Sequence, residues 1–151
     1  MRIMALDLGE RRIGVAVSDP TGTVARPLCT IQRSPSVDEF GVIGDLVAEQ
    51  AAELVVVGQP LTLRGEVGPQ AEIVQSYASD LAGALQVPVR MWDERYSTVT
   101  AEEILNRNRK RKRGSREQEG VDAVAAAVIL QAYLDSAATG LVEPLRAEPS
   151  G

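Results

Sequence analysis

The run Ile3-Met4-Ala5-Leu6 places apolar side chains on consecutive positions, so neither face of a strand built from it can meet water. A half-exposed strand would alternate apolar with polar residues; this one must lie inside a sheet that is covered above and below. Asp7 ends the run, and Gly9-Glu10-Arg11-Arg12 reads as a short turn. Ile13-Gly14-Val15-Ala16-Val17 then returns as a second strand, and Asp19-Pro20-Thr21-Gly22 marks the next turn. With a third strand over Val24–Ile31, the chain opens as an antiparallel meander whose first strand is central.

The remaining elements alternate. Phe40, Ile43, Val47, Ala51 and Leu54 recur at helical spacing, although Gly41 and Gly44 weaken that helix. Leu54-Val55-Val56-Val57-Gly58 is a fully apolar strand. A polar loop from Gln59 to Gly68 leads through Pro69 into a helix with Ile73, Tyr77, Leu81 and Leu85 on one face. Val89–Asp93 reads as the last strand. Thr100 with Glu103 forms a capping box for a further helix, with Ser97 as the competing cap. Apolar positions 121, 124, 125, 128, 129 and 132 fit a helix from about Val121 to Ser136. The order β-β-β-α-β-α-β-α-α predicts an α/β fold, a mixed five-stranded sheet with flanking helices. One domain over 1–136 is expected, followed by a loose tail over 137–151, where Gly140, Pro144, Pro149 and Gly151 fall.

Three carboxylates border these apolar stretches: Asp7 after the first strand, Glu94 after the last, and Asp122 at the start of the final helix. A carboxylate beside a core is costly unless a cation, a donor or a metal satisfies it. Ligands in open α/β sheets gather at strand carboxyl ends, where Asp7 and Glu94 would both lie. If the fold joins the three, a hard divalent cation is the natural occupant. Each also has an ordinary reading. Asp7 can shape a turn, Glu94 can pair with Arg95 or Arg90, and Asp122 can serve as a helix N-cap or first-turn acid.

Composition narrows the chemistry. The chain of 151 residues has no histidine, so the usual general base and transition-metal ligand are missing. Its single Cys29 excludes an internal disulfide framework and a thiolate zinc cluster. With no unbroken apolar run of membrane-spanning length and no signal-peptide pattern at the start, a cytoplasmic protein without membrane association is expected. Net charge is −5, yet seven of the 16 basic residues crowd into 107–116: Arg107, Arg109, Lys110, Arg111, Lys112, Arg113 and Arg116. Such a block can track a phosphate backbone even on an acidic protein, or it can be a solvated loop.

Ala5-Leu6-Asp7-Leu8-Gly9 with Arg12-Ile13-Gly14-Val15-Ala16-Val17-Ser18-Asp19 resembles the opening motif of the YqgF family of ribonuclease H-like proteins. Asp93-Glu94-Arg95-Tyr96-Ser97-Thr98 looks like its second motif, and Val121-Asp122-Ala123 with Ala125-Ala126 and Ile129-Leu130 like its third. Members are described as Holliday-junction resolvases and as nucleases maturing the 5′ end of pre-16S ribosomal RNA. The resemblance implies a two-metal nuclease using Mg²⁺ or Mn²⁺ held by Asp7, Glu94 and Asp122. Its partner would be nucleic acid, structured RNA first and branched or single-stranded DNA second. Gly9 would let backbone approach the scissile phosphate, while Arg12 or Arg95 would grip a flanking one. Arg109, Lys110, Arg111, Lys112 and Arg113 would track the backbone. Five aromatic residues are too few for a stacking platform, so recognition is expected to depend on shape and phosphates.

The chain also departs from the family pattern. Gln59-Pro60 stands where many members have Leu-Pro, and Arg64-Gly65 where they have Asp-Gly. Glu119 stands where a lysine is common, and neither Ala125 nor Ala126 supplies the fourth acid of related resolvases. These departures keep open a non-catalytic nucleic-acid-binding module with the same fold. An actin-like-fold phosphotransferase fragment would share the Asp-x-Gly hairpin, but it needs a second duplicated domain, and no GxxxxGK[ST] loop is present. Nothing in the sequence announces an oligomeric state.

Overall fold

The computed structural model describes residues 1–59, 68–93, 117–139 and 145–146. Within these, strands β1 (Ile3–Leu8), β2 (Arg12–Ser18) and β3 (Ala25–Gln32) form the expected meander, followed by helix α1 (Glu39–Gln50). Strand β4 (Leu54–Gln59), helix α2 (Pro69–Ala84) and strand β5 (Val89–Asp93) come next. Helix α3 (Glu117–Thr139) and the two-residue strand β6 (Leu145–Arg146) complete the described elements. The further helix expected after β5 lies outside the described residues.

The strands form one mixed sheet in the order β3-β2-β1-β4-β5-β6. β1 is central, antiparallel to β2 and parallel to β4, as its two-sided apolar run requires. Alternation then sorts its side chains. Ile3 and Ala5 join the core under α3 with Val56, Trp92, Leu130 and Tyr133, where the Trp92 and Tyr133 rings meet edge to face at 5.8 Å. Met4 and Leu6 face the opposite core with Val55, Val57, Ile43, Val47, Val74 and Leu81, beneath α1 and α2. Asp7, two residues beyond Ala5, therefore belongs to the α3 side of the strand. Pro27 sits in β3 at the sheet edge, beside the irregularity between Val15 and Ala16, where a missing N–H is tolerated.

Helix α1 forms as expected, whereas the face of α2, the start of α3 and the tail depart from expectation. Asp38 caps α1 by accepting from the Gly41 N–H at 3.1 Å, and burial of Ile43 and Val47 outweighs the propensity cost of Gly41 and Gly44. On α2 the buried positions are Ala71, Val74, Ala78 and Leu81, so Ile73 is turned away from the core and stands 70% exposed. α3 begins at Glu117 and runs to Thr139, and Leu145–Arg146 pairs antiparallel with Arg90 and Met91 inside the stretch expected to be a loose tail. Val121–Ala138 is also long and apolar enough by composition to cross a bilayer, despite Asp122 and Asp135. Here it is the core helix lying over the sheet, with Ala123, Val124, Ala126, Ala127, Ile129 and Leu130 buried.

Gln131 fixes that helix against the sheet. Its Oε1 accepts from the Ala25 N–H at 2.9 Å and its Nε2 donates to the Thr23 carbonyl at 3.0 Å. A buried amide satisfied on both sides sets a single position of α3 over β3.

Candidate active site

Register and one close approach bring the first acidic pair together. Asp7 on β1 lies directly opposite Gly14 on β2. Over Gly14 the backbone of α3 comes so near that a Cβ built there would stand 1.9 Å from the Asp122 carbonyl oxygen. Only glycine lets the helix settle at this point, and Asp122 is thereby delivered to the strand pair that carries Asp7. Gly14 is the residue whose part the sequence left unassigned. The available signal was a lone glycine in an otherwise bulky strand, which marks a close approach of backbone.

The electrostatics follow from that packing. Burial pushes the Asp7 carboxyl above its ordinary value of 3.8, and the negative charge of Asp122 pushes it further. Asp122 is met by Arg12, whose Nε lies 3.0 Å from Oδ2; the two side chains are 49% and 28% exposed. The ordinary reading of Asp122 as an N-cap or first-turn acid does not hold, because α3 starts five residues earlier at Glu117. Arg12, expected on a flanking phosphate, is paired across the turn with the acid itself in the free protein.

The Gly9 turn is tightly built. The Gly9 N–H donates to the Arg12 carbonyl at 2.9 Å, and a Cβ at Gly9 would fall 2.7 Å from that same oxygen. Turn closure thus accounts for the glycine, and its amide is already engaged. The Gly9 carbonyl accepts from Arg33 Nη1 at 2.7 Å, and Arg33 Nε contacts the Glu39 carboxylate at 3.3 Å. Arg33, unnoticed in the sequence, therefore ties the turn after Asp7 to the first turn of α1.

Asp7, Gly9, Arg12 and Asp122 lie at one end of the sheet, the carboxyl end of β1. β4 and β5 run parallel to β1, so their carboxyl ends, Gln59 and Asp93, share that edge of the sheet. Glu94, the next residue in the chain, lies outside the described residues, as do Arg95, Arg109, Lys110, Arg111, Lys112 and Arg113 and the side chain of Glu119. Among the described residues no group of three or more His, Cys, Asp or Glu is assembled. The described part of the site is a pair of carboxylates with an arginine on one of them.

A mixed sheet in this order, helices on both faces and acids at the carboxyl end of its central strand define the ribonuclease H-like class. RuvC of Thermus thermophilus, solved in complex with a Holliday junction substrate, shares the fold with a TM-score of 0.63 at 20% identity, over 96% of this chain and 99% of that one. Residues 1–136 match the family described as RuvX, Holliday junction resolvase, and the chain belongs to that family. It is 51% identical over 134 residues to a Chloroflexus aurantiacus protein named "Putative pre-16S rRNA nuclease", covering 89% of this chain and 86% of that one. A protein of the same name from Caldanaerobacter subterraneus is 41% identical over 136 residues, covering 90% and 97%. Membership in this nuclease and resolvase family implies a hydrolase acting on nucleic acid.

Proposed function

We propose that this protein is a divalent-metal-dependent nuclease that hydrolyses phosphodiester bonds in structured RNA, in the 5′ processing of pre-16S ribosomal RNA. The observation that carries the reading is the pairing of Asp7 with Asp122 over Gly14, which creates a half-buried, mutually repelling pair of oxygen donors. Two carboxylates held this way gain most from a hard cation, and the chain supplies neither histidine nor a thiolate cluster that would favour a softer one. Asp7 and Asp122, with Glu94 directly after β5, would hold Mg²⁺ or Mn²⁺. Such ions, when bound, lower the pKa of water and offset charge on the attacking and leaving oxygens.

The chain's own residues do the positioning. Asp7 and Asp122 bind and orient, each as an acceptor. Arg12 neutralises Asp122 in the free protein, and with a cation held by that carboxylate its guanidinium would be available to a phosphate beside the scissile bond. Arg109, Lys110, Arg111, Lys112 and Arg113 bind the phosphate backbone without reading sequence, with Arg95 beside Glu94 as a further phosphate contact. Residues 1–136, the span of the family match, are the catalytic domain, with 137–151 as an appendage. A cytoplasmic location follows from the substrate.

The names of the curated relatives favour RNA, whereas the family description and the junction-bound neighbour favour branched DNA. Cleavage of labelled pre-16S RNA 5′ segments and of a four-way DNA junction, each with Mg²⁺, Mn²⁺ or EDTA, separates them. We expect metal-dependent cutting of the RNA. Cutting of the junction alone would transfer the reading to DNA. Binding without cleavage of either, under both metals, would leave a nucleic-acid-binding module and refute the nuclease.

A further inference from the structure

On the other side of the Gly9 turn from the acidic pair lies a groove of about 400 Å³ between that turn and α2. Its floor and walls include Leu8, Gly9, Gln70, Ile73, Val74 and Tyr77. We propose that this groove seats one unpaired nucleobase of the substrate strand, about one nucleotide from the phosphodiester held at Asp7 and Asp122; the assignment rests on the nuclease reading above.

Ile73 is the first reason. It stands 70% exposed on the face of α2 nearest the turn, although the helix has Ala71, Val74, Ala78 and Leu81 available to meet the sheet. A large aliphatic side chain held at the rim of a groove beside a candidate active site is a contact surface for something apolar and flat. The volume suits one nucleotide. A second large exposed side chain, Val121, directly precedes Asp122 in α3.

The second reason is placement. Strand residues advance about 3.3 Å each, so Gly9 lies roughly 7 Å beyond Asp7, on the order of one step along an extended nucleic-acid strand. Alternation puts Asp7 on the α3 side and Leu8 on the α2 side of β1. A strand running from the acids to the groove must therefore cross the end of the sheet, a sharp turn that an unpaired segment makes and a duplex does not.

Charge decides between base and phosphate. Arg33 is committed to the Gly9 carbonyl at 2.7 Å and to Glu39, and its Cζ lies 5.4 Å from the Tyr77 ring centre. Tyr77 donates to Glu39 at 2.9 Å and meets Phe40 edge to face at 5.2 Å. This network stiffens the groove wall and leaves Arg33, the arginine among its described lining residues, engaged. Glu10, exposed on the rim, repels a phosphate but accepts readily from a base amino group. Among its described residues the groove therefore offers more to a base than to the backbone.

The test uses the full chain and an RNA oligonucleotide carrying 2-aminopurine at successive positions around the mapped cleavage point, with single-stranded and fully paired versions compared. Binding is read by anisotropy and base environment by 2-aminopurine fluorescence. At one position next to the cut, wild type should change the fluorescence of the unpaired base only. Ile73→Asp should abolish that change and weaken single-strand binding about tenfold, Ile73→Ala about threefold, with duplex binding unaltered. Ile73 is exposed, so both variants should melt with wild type. Unchanged single-strand binding by Ile73→Asp, or no fluorescence response at any position while wild type still cleaves, overturns the groove and leaves the nuclease standing. Neither binding nor cleavage by wild type overturns both.

Discussion

Replacing Gly14 by alanine strikes the contact that brings Asp122 to Asp7. The new Cβ would stand 1.9 Å from the Asp122 carbonyl oxygen, 2.4 Å from its carbonyl carbon and 3.1 Å from the Ala123 nitrogen. Real Cβ atoms essentially never approach within 3.0 Å, so helix and strand must part by about 1 Å at this point. The obstructing atoms are helix backbone, and no side-chain rotation relieves them. Overpacking of this kind costs about 1–3 kcal/mol. For a domain of this size each kcal/mol lowers the melting temperature by about 2–4 °C, so a fall of roughly 2–12 °C is expected. Misplacing a catalytic group by about 1 Å reduces the rate by about 10²-fold. Thermal unfolding by circular dichroism and single-turnover cleavage, run well below the lowered melting temperature, read the two effects separately. Gly83→Ala is the control: nothing lies within 4 Å of a Cβ there, and alanine in a helix should be neutral or stabilising by up to about 1 kcal/mol. A Gly14→Ala protein that melts and cleaves like wild type would refute the packing argument.

Asp7→Asn should stabilise the protein at pH 7 while removing activity. The folded-state pKa of Asp7 is raised above 3.8, so the folded protein holds that proton more tightly and loses stability as pH climbs through the window above 3.8. The gap in melting temperature between variant and wild type should therefore close as pH falls below that window, and an unstabilised variant at neutral pH would contradict the assignment. Neutralising Arg109 to Arg113 should weaken binding across all sequences and flatten the slope of log affinity against log salt; an unchanged slope means that this segment does not touch phosphate. Gln131→Leu leaves the Ala25 N–H and the Thr23 carbonyl without their side-chain partner, so it should cost about 1–3 kcal/mol and speed exchange of the Ala25 amide. Exchange at the wild-type rate would show that Gln131 does not hold α3 to β3.

The strands were legible because their signal is local. Ile3–Leu6 and Leu54–Val57 carry two-sided apolar runs that admit only interior strands, and period-two alternation alone puts Asp7 on the α3 side. What sequence could not show depends on contacts between distant segments. The need for glycine at position 14 arises only when α3 lies across β2. The rotation of α2 that exposes Ile73 is set by small Ala71 and Ala78 fitting closer to the sheet than the larger stripe through Ile73 and Leu85. The early start of α3 is hidden because Glu117-Gln118-Glu119-Gly120 has no apolar period, and β6 is too short to show alternation. The ion pair of Arg12 with Asp122 is likewise invisible in the sequence, because the two residues meet only when α3 lies across β2.

The proposed centre requires that Asp7 and Asp122 act on one phosphodiester through a shared cation. Single-turnover cleavage of the RNA substrate in Mn²⁺, comparing wild type with Asp122→Asn at equal folded fraction, measures this most directly. Losing a metal-holding carboxylate should remove several kcal/mol of transition-state stabilisation, a fall of at least about 10²-fold in rate. Cleavage by Asp122→Asn within a factor of a few of wild type would contradict the claim that these two aspartates form the catalytic centre.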